Sequence, residues 1–212
     1  MSIDEFIKVM QFENINTIHV INENCIEEIH DSYEDYEKIQ EIEGEWKLIV
    51  ARRERRHLDE VSKEFHSKEE AIRYFCFYQL ERHYTKKYLA KAKENSTISI
   101  YSDNFNINNL LNMFSELGIM QEYYSVNENK KNAFVFKNTG HDQYQIFWFD
   151  KEGNEIHKTM ELDKGTALYA MFRLTYLYYL VDTHVLQMQE KGLLADGITR
   201  NDYNVIFSIV KG

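Results

Sequence analysis

Apolar residues along this chain switch between two spacings, and the switches mark out its elements. Ile3, Phe6, Ile7 and Met10 recur every three or four residues, as do Ile107, Leu110, Leu111 and Phe114, which is the spacing of one face of an amphipathic helix. The second of these helices should stop at Leu117-Gly118-Ile119, where glycine accepts the left-handed cap conformation. Asn132–Lys137 and Tyr144–Phe149 are instead aromatic and β-branched runs. The turn-forming stretch Asn138-Thr139-Gly140-His141-Asp142 separates them, which predicts a hairpin. A second turn at Asp150–Asn154 leads to a third strand near Glu155–Leu162, completing a three-stranded antiparallel meander. Earlier in the chain, Trp46–Ala51, the charged turn Arg52-Arg53-Glu54-Arg55-Arg56 and a strand around Val61–Phe65 predict its counterpart.

Each meander is followed by a long helical pattern with its own start signal. Ser67 precedes Ala71, Tyr74, Phe75 and Tyr78 and has Glu70 three residues on, as in a capping box. Asp163 precedes Ala167, Leu168, Met171, Phe172 and Thr175, a pattern that runs on to Met188. A short helix over about Asn201–Ile209 closes the reading. The fold class is therefore α+β, with two related modules, each an amphipathic helix, a three-stranded antiparallel meander and a long helix packed on the sheet.

The two halves read as one pattern written twice. Trp46-Lys47-Leu48-Ile49-Val50, Phe65 and Ala71-Ile72-Arg73-Tyr74-Phe75 return as Tyr144-Gln145-Ile146-Phe147-Trp148, Leu162 and Ala167 to Phe172. The period is roughly a hundred residues, whereas solenoid repeats recur every 20–50, so the expectation is duplication of a whole folding unit. The chain lacks proline, so polar stretches must mark its boundaries. Lys93-Glu94-Asn95-Ser96, just before the β-type run Thr97–Tyr101, sets the modules at 1–94, with an acidic insert over about 23–45, and 95–212.

Charge and targeting signals narrow the function. A net charge of −10 disfavours direct nucleic-acid binding and favours a basic partner. Cys25 and Cys76 are far apart, which suits two reduced, structural thiols better than a disulfide framework. Met1-Ser2-Ile3-Asp4-Glu5 has none of the basic and apolar regions of a secretion signal, so a cytoplasmic location is expected. The apolar run Thr166–Val181 is short and carries Arg173, which predicts a buried helix and no membrane contact.

The second half reads Leu117-Gly118-Ile119, Tyr123-Tyr124-Ser125, Asn132-Ala133-Phe134-Val135, Tyr144 to Trp148, the Lys151-Glu152-Gly153 turn, then an alanine-led helix. This resembles the small immunity proteins encoded beside bacterial polymorphic toxins. Their pattern is a YYS segment, an aromatic strand with tryptophan, an acidic-Gly turn, and a helix with an Ala and a Tyr-Phe pair. The first half is similar around Trp46, Arg53-Glu54-Arg55, Phe65, Glu70-Ala71 and Tyr74-Phe75, but has Arg55 where the turn glycine would stand and has no clear YYS. The resemblance covers about two thirds of the chain and implies a protein that protects its producer by binding and blocking a toxin.

The segment Glu23–Glu45 holds ten acidic residues against the single lysine Lys38, with Tyr33, Tyr36, Ile39 and Ile42 interleaved. Such a run either imitates phosphate in a cationic groove or forms a solvated, partly disordered loop. The partner-binding candidates are Glu27, Glu28, Asp31, Glu34, Asp35, Glu37, Glu41 and Glu43, together with Tyr123 and Tyr124 in the second module. The basic knot Arg52, Arg53, Arg55, Arg56 and His57 either grips an anion or pairs with that acidic run. Trp46 and Trp148 read as core residues or as exposed anchors. The eight histidines show no metal-ligand spacing, and no phosphate-binding, nucleophile-elbow or dinucleotide motif is present, so no catalytic, cofactor or metal residues are assigned. The reading is a non-enzymatic toxin inhibitor that binds a protein with a basic face. The alternatives are an acidic decoy inhibitor of a host defence or nucleic-acid-binding protein, and an enzyme with a site between modules, lined by His157 or by grouped carboxylates.

Overall fold

The computed structural model describes residues 1–31, 33–53, 58–95, 99–102 and 104–207. It is α+β and contains two sheets. The chain divides into two compact units, one formed by residues 1–83 with 185–212 and the other by residues 84–184.

The first unit begins with helix α1 (Ile3–Phe12), which buries Phe6, Val9 and Met10 as the spacing requires. Five antiparallel strands follow in sequential order: β1 (Ile18–Asn22), β2 (Cys25–Glu28), β3 (Tyr36–Ile42), β4 (Glu45–Arg52) and β5 (Leu58–Phe65). The sheet is thus two strands wider than the expected meander. Much of the acidic insert 23–45 is strand, because Ile26 and Ile39 pair across β2 and β3 and are fully buried, while Tyr36 is nearly so. Cross-strand partners share a face, so Ile26 and Ile39 go inside together whatever the charge of their neighbours.

One side of this sheet packs against α2 (Lys68–Tyr84). Phe65 lies 5.2 Å from the Tyr74 ring, and Phe6 of α1 stacks on Phe75 at 6.2 Å. On the strands Lys38 meets Asp59, and Lys47 meets both Glu45 and Glu64. Ser67 caps α2 as expected, its Oγ accepting the Glu70 N–H at 3.1 Å; Glu70 returns to the His66 N–H instead of completing a box on Ser67. Helix α6 (Arg200–Ile206) completes the unit at the place expected for a helix over about Asn201–Ile209; residues 208 and 209 lie outside the described residues.

Beyond α2 the chain continues helically through a π-turn (Thr85–Leu89) into α3 (Ala90–Asn95). Lys93, Glu94 and Asn95 of the expected join are therefore helical, Ile100 and Tyr101 form a turn, and Ser96, Thr97 and Ile98 lie outside the described residues. Helix α4 (Ile107–Glu116) ends on Gly118 at φ +72°, with Ile119 N–H donating to Phe114 O and Gly118 N–H to Ser115 O. This is the expected left-handed stop.

The second sheet contains β6 (Tyr124–Val126), β7 (Ala133–Gly140), β8 (Gln143–Phe149) and β9 (Glu155–Lys158) in that order. β7, β8 and β9 are the expected antiparallel meander, its last strand shorter, with a single bridge from Tyr144 to Leu162. The parallel β6 was not anticipated; Asn127 and Asn132, both at positive φ, reverse the chain on either side of the return. Helix α5 (Lys164–Glu190) starts where Asp163 accepts the Thr166 N–H, and its Tyr178 ring meets Phe134 and Trp148 edge-on. No helix among the described residues is long and apolar enough to cross a membrane.

Candidate protein-binding surface

Folding separates the eight acidic candidates of the first unit into three environments. Glu28 and Glu37 turn toward α2, where one guanidinium holds both. Arg82 Nη1 donates to Glu28 Oε1 at 2.5 Å and to Glu37 Oε2 at 2.9 Å. Gln79 donates a further bond to Glu28, Tyr78 donates one to Glu37, and the Glu37 N–H donates to Glu28 Oε2 at 3.0 Å. Burial, set against the bonds from Tyr78 and Arg82, pushes the Glu37 carboxyl up from its ordinary value; burial together with the neighbouring Glu37 pushes the Tyr78 hydroxyl up as well. These two carboxylates are internal fastenings for strands β2 and β3. Glu27 is half-buried and lies 4.0 Å from His30.

Glu41 and Glu43 lie at the opposite end of β3 from Asp31, Glu34 and Asp35. Residues 36–40 of the strand stand between Asp35 and Glu41, which sets the groups about 20 Å apart. Glu43 is exposed in a two-residue turn with Gly44, both at positive φ, a geometry that matches the twist of β3 and β4. A run that is continuous in sequence is thus not a continuous patch.

The remaining group sits on the β2–β3 loop, whose described residues are 29–31 and 33–35, and this is the surface with the composition of an interface. Its base is fixed. Asp35 accepts the Arg53 N–H at 2.6 Å and an Arg52 bond at 3.2 Å, and the His30 ring stacks on Tyr36 at 3.6 Å. The Arg53 guanidinium also donates to the Tyr36 hydroxyl. On this loop Tyr33, between the exposed Asp31 and Glu34 in the chain, is 85% exposed, and Ile29 is 56% exposed. The Glu34 N–H closes a turn on Asp31 O at 3.1 Å. An exposed aromatic residue ringed by charge and carried on a braced loop can anchor in a partner pocket while the acids meet its basic rim. Sequence reasoning noted Tyr33 among the acids without assigning it a role, and passed over Ile29; an aromatic in a polar stretch bounded by two strands was the signal.

The other candidates are placed differently. Tyr123, expected at the surface, is 5% exposed, with its hydroxyl donating to Asp182 at 2.7 Å and its ring edge-on to Tyr178 and Tyr179. It turns inward because the 3-10 turn Gln121–Tyr123 feeds directly into β6, the edge strand that lies beside β7. Tyr124 is half-buried against Phe114. Trp46 and Trp148 are both core residues. Of the basic knot, Arg52 and Arg53 engage Asp35 and Tyr36 internally, while Arg55, Arg56 and His57 lie outside the described residues. Burial lowers the pKa of the half-buried His157, and pushes the Cys76 thiol far up and the Cys25 thiol up.

Charge is as unevenly divided as the candidates. The residues of the first unit include 23 acidic and 14 basic side chains, a net of −9, and those of the second 12 and 11, a net of −1. Almost the whole charge of the chain therefore belongs to the unit that carries the braced loop. No family model matches the chain, and neither a curated protein nor a solved structure matches it.

Proposed function

We propose that this protein is an immunity-type inhibitor that binds a basic toxin directly and covers its active or substrate-binding face. The observation that carries the reading is the β2–β3 loop, where Tyr33 projects between Asp31 and Glu34 from a base fastened by Asp35, Arg52 and Arg53. The net charge of −9 on this unit steers a cationic partner toward it, an attraction that weakens as salt rises. The same proposal takes residues 1–94 and 95–212 as two versions of one module, a reading supported by their shared order of short helix, antiparallel meander and long helix. It also places the protein in the cytoplasm, where it would meet the toxin before harm is done.

Affinity capture from the producing cell, run in parallel with wild type and a Tyr33→Ala/Glu34→Lys variant, tests this. The expected result is a basic protein retained in stoichiometric amount by wild type and lost by the variant, whose expression arrests growth unless this chain is co-expressed. A captured protein that is harmless when expressed alone, or that binds both forms equally, overturns the proposal.

A further inference from the structure

Within the second unit, the π-turn and the end of α4 enclose a cleft of about 290 Å³. The buried stripe of α2 includes Ala71, Phe75, Leu80 and Tyr84, and uninterrupted α-helical spacing would next bury Lys87 or Tyr88. The π-turn adds one residue, closing with the Ala90 N–H on Thr85 O, so Leu89 and Ala92 take the buried positions. Lys87, Tyr88 and Lys91 are thereby moved to the rim of the cleft. Tyr88 is held there edge-on by the Tyr84 and His184 rings, and Lys87 Nζ sits 5.0 Å from its centroid.

The floor is apolar, made by Met113, Leu117 and Tyr176, and Glu116 is the one acidic residue among the described residues of the lining. Lys87 and Lys91 make no ion pair with any described residue, so the lining carries a net positive charge. The surrounding sequence accentuates this. Between Glu81 and Glu94, residues 85–93 contain Lys86, Lys87, Lys91 and Lys93 and no acid, in a chain of net charge −10. A cationic rim over an apolar, aromatic floor is complementary to a molecule with one anionic end and a flat apolar body.

We infer that this cleft binds a small aromatic carboxylate, its carboxylate held by Lys87 and Lys91 and its ring lying over Met113, Leu117 and Tyr176. The volume lies near the lower limit of small-molecule sites, roughly 300 Å³, which sets the ligand at one or two fused rings. This assignment is independent of the β2–β3 loop and of the partner it binds.

Titration of the full chain with 2-naphthoate, followed by amide chemical shifts, tests it. Saturable binding is expected with Kd on the order of 1 mM or tighter for a ligand of this size. Shifts should be confined to residues near 87–92, 113–117 and 176. Lys87→Gln/Lys91→Gln should weaken binding about tenfold or more, and 2-naphthol, which lacks the carboxylate, should bind weakly to wild type. Leu117→Trp, which fills the floor, should abolish binding while the remaining amide spectrum stays folded. Absence of saturation in the millimolar range, equal binding of the acid and the alcohol, or indifference to the lysine substitutions overturns the assignment.

Discussion

Replacing Arg73 with alanine should cost the first unit about 3 kcal/mol. Arg73 reaches Asp202 from a distant part of the chain, with Nε at 2.9 Å from Oδ1 and Nη2 at 2.7 Å from Oδ2, and Nη2 also donates to Gly197 O at 2.7 Å. Asp202 is only 4% exposed, so removing the guanidinium leaves a carboxylate in the interior without its counter-ion. Breaking a buried pair in this way costs roughly 3–5 kcal/mol. The lower end applies because the Thr199 N–H and hydroxyl still donate to Oδ2, each at 2.7 Å. The assay is denaturant unfolding in a Trp148→Phe background, so that Trp46, buried in the first unit, is the only fluorophore of its kind. A loss below about 1 kcal/mol refutes the reasoning. Arg73→Met combined with Asp202→Asn removes both charges, and its cost should fall short of the sum of the single costs by about 1–3 kcal/mol. Strict additivity would mean that the ion pair is not coupled.

The Glu37→Gln protein should gain stability relative to wild type as pH rises from about 4 to 7, measured as the difference in Tm. The wild-type carboxyl is pushed up by burial, so its contribution is fully present below the unfolded pKa of 4.5 and is lost as pH climbs through the folded value; a pH-independent difference refutes this. Cys25 and Cys76 are both buried with raised thiol pKa, and should react with a disulfide reagent at pH 8 only after unfolding. Stoichiometric labelling of the native protein would contradict the packing. Tyr123→Phe should destabilise by about 1–3 kcal/mol in chemical unfolding, since it strips Asp182 of its donor. Tyr33→Ala should leave folding free energy nearly unchanged, within about 0.5 kcal/mol, yet cost about 2 kcal/mol or more in partner affinity by calorimetry.

Helix starts and stops were the most legible features. Gly118, Ser67 and Asp163 act locally, through bonds to backbone groups three or four residues away, and their roles can be read without knowing the fold. The hairpin of β7 and β8 was legible for a similar reason. The width of the first sheet was not, because Ile26 and Ile39 are single apolar residues among carboxylates, and their significance depends on pairing across strands. Likewise Glu28 and Glu37 look the same in sequence as Asp31 and Glu34. What separates them is Arg82, more than forty positions downstream, which takes up the first two and leaves the others to solvent. The inward turn of Tyr123 depended on the parallel strand β6, for which the preceding residues carry no local signal.

The Arg82 fastening also bears on how such a protein could change its target. Glu28 closes one strand and Glu37 follows the start of the next, so a single side chain on α2 fixes both stems of the loop between them. Ile29, Asp31, Tyr33 and Glu34 lie beyond those stems and contribute little to the core. Substitution or exchange of the tip therefore leaves the registry of β2 and β3 intact, and recognition can diversify without renegotiating the fold. A lineage pressed by changing opponents would find its variation tolerated at this tip and penalised at Glu28, Glu37 and Arg82.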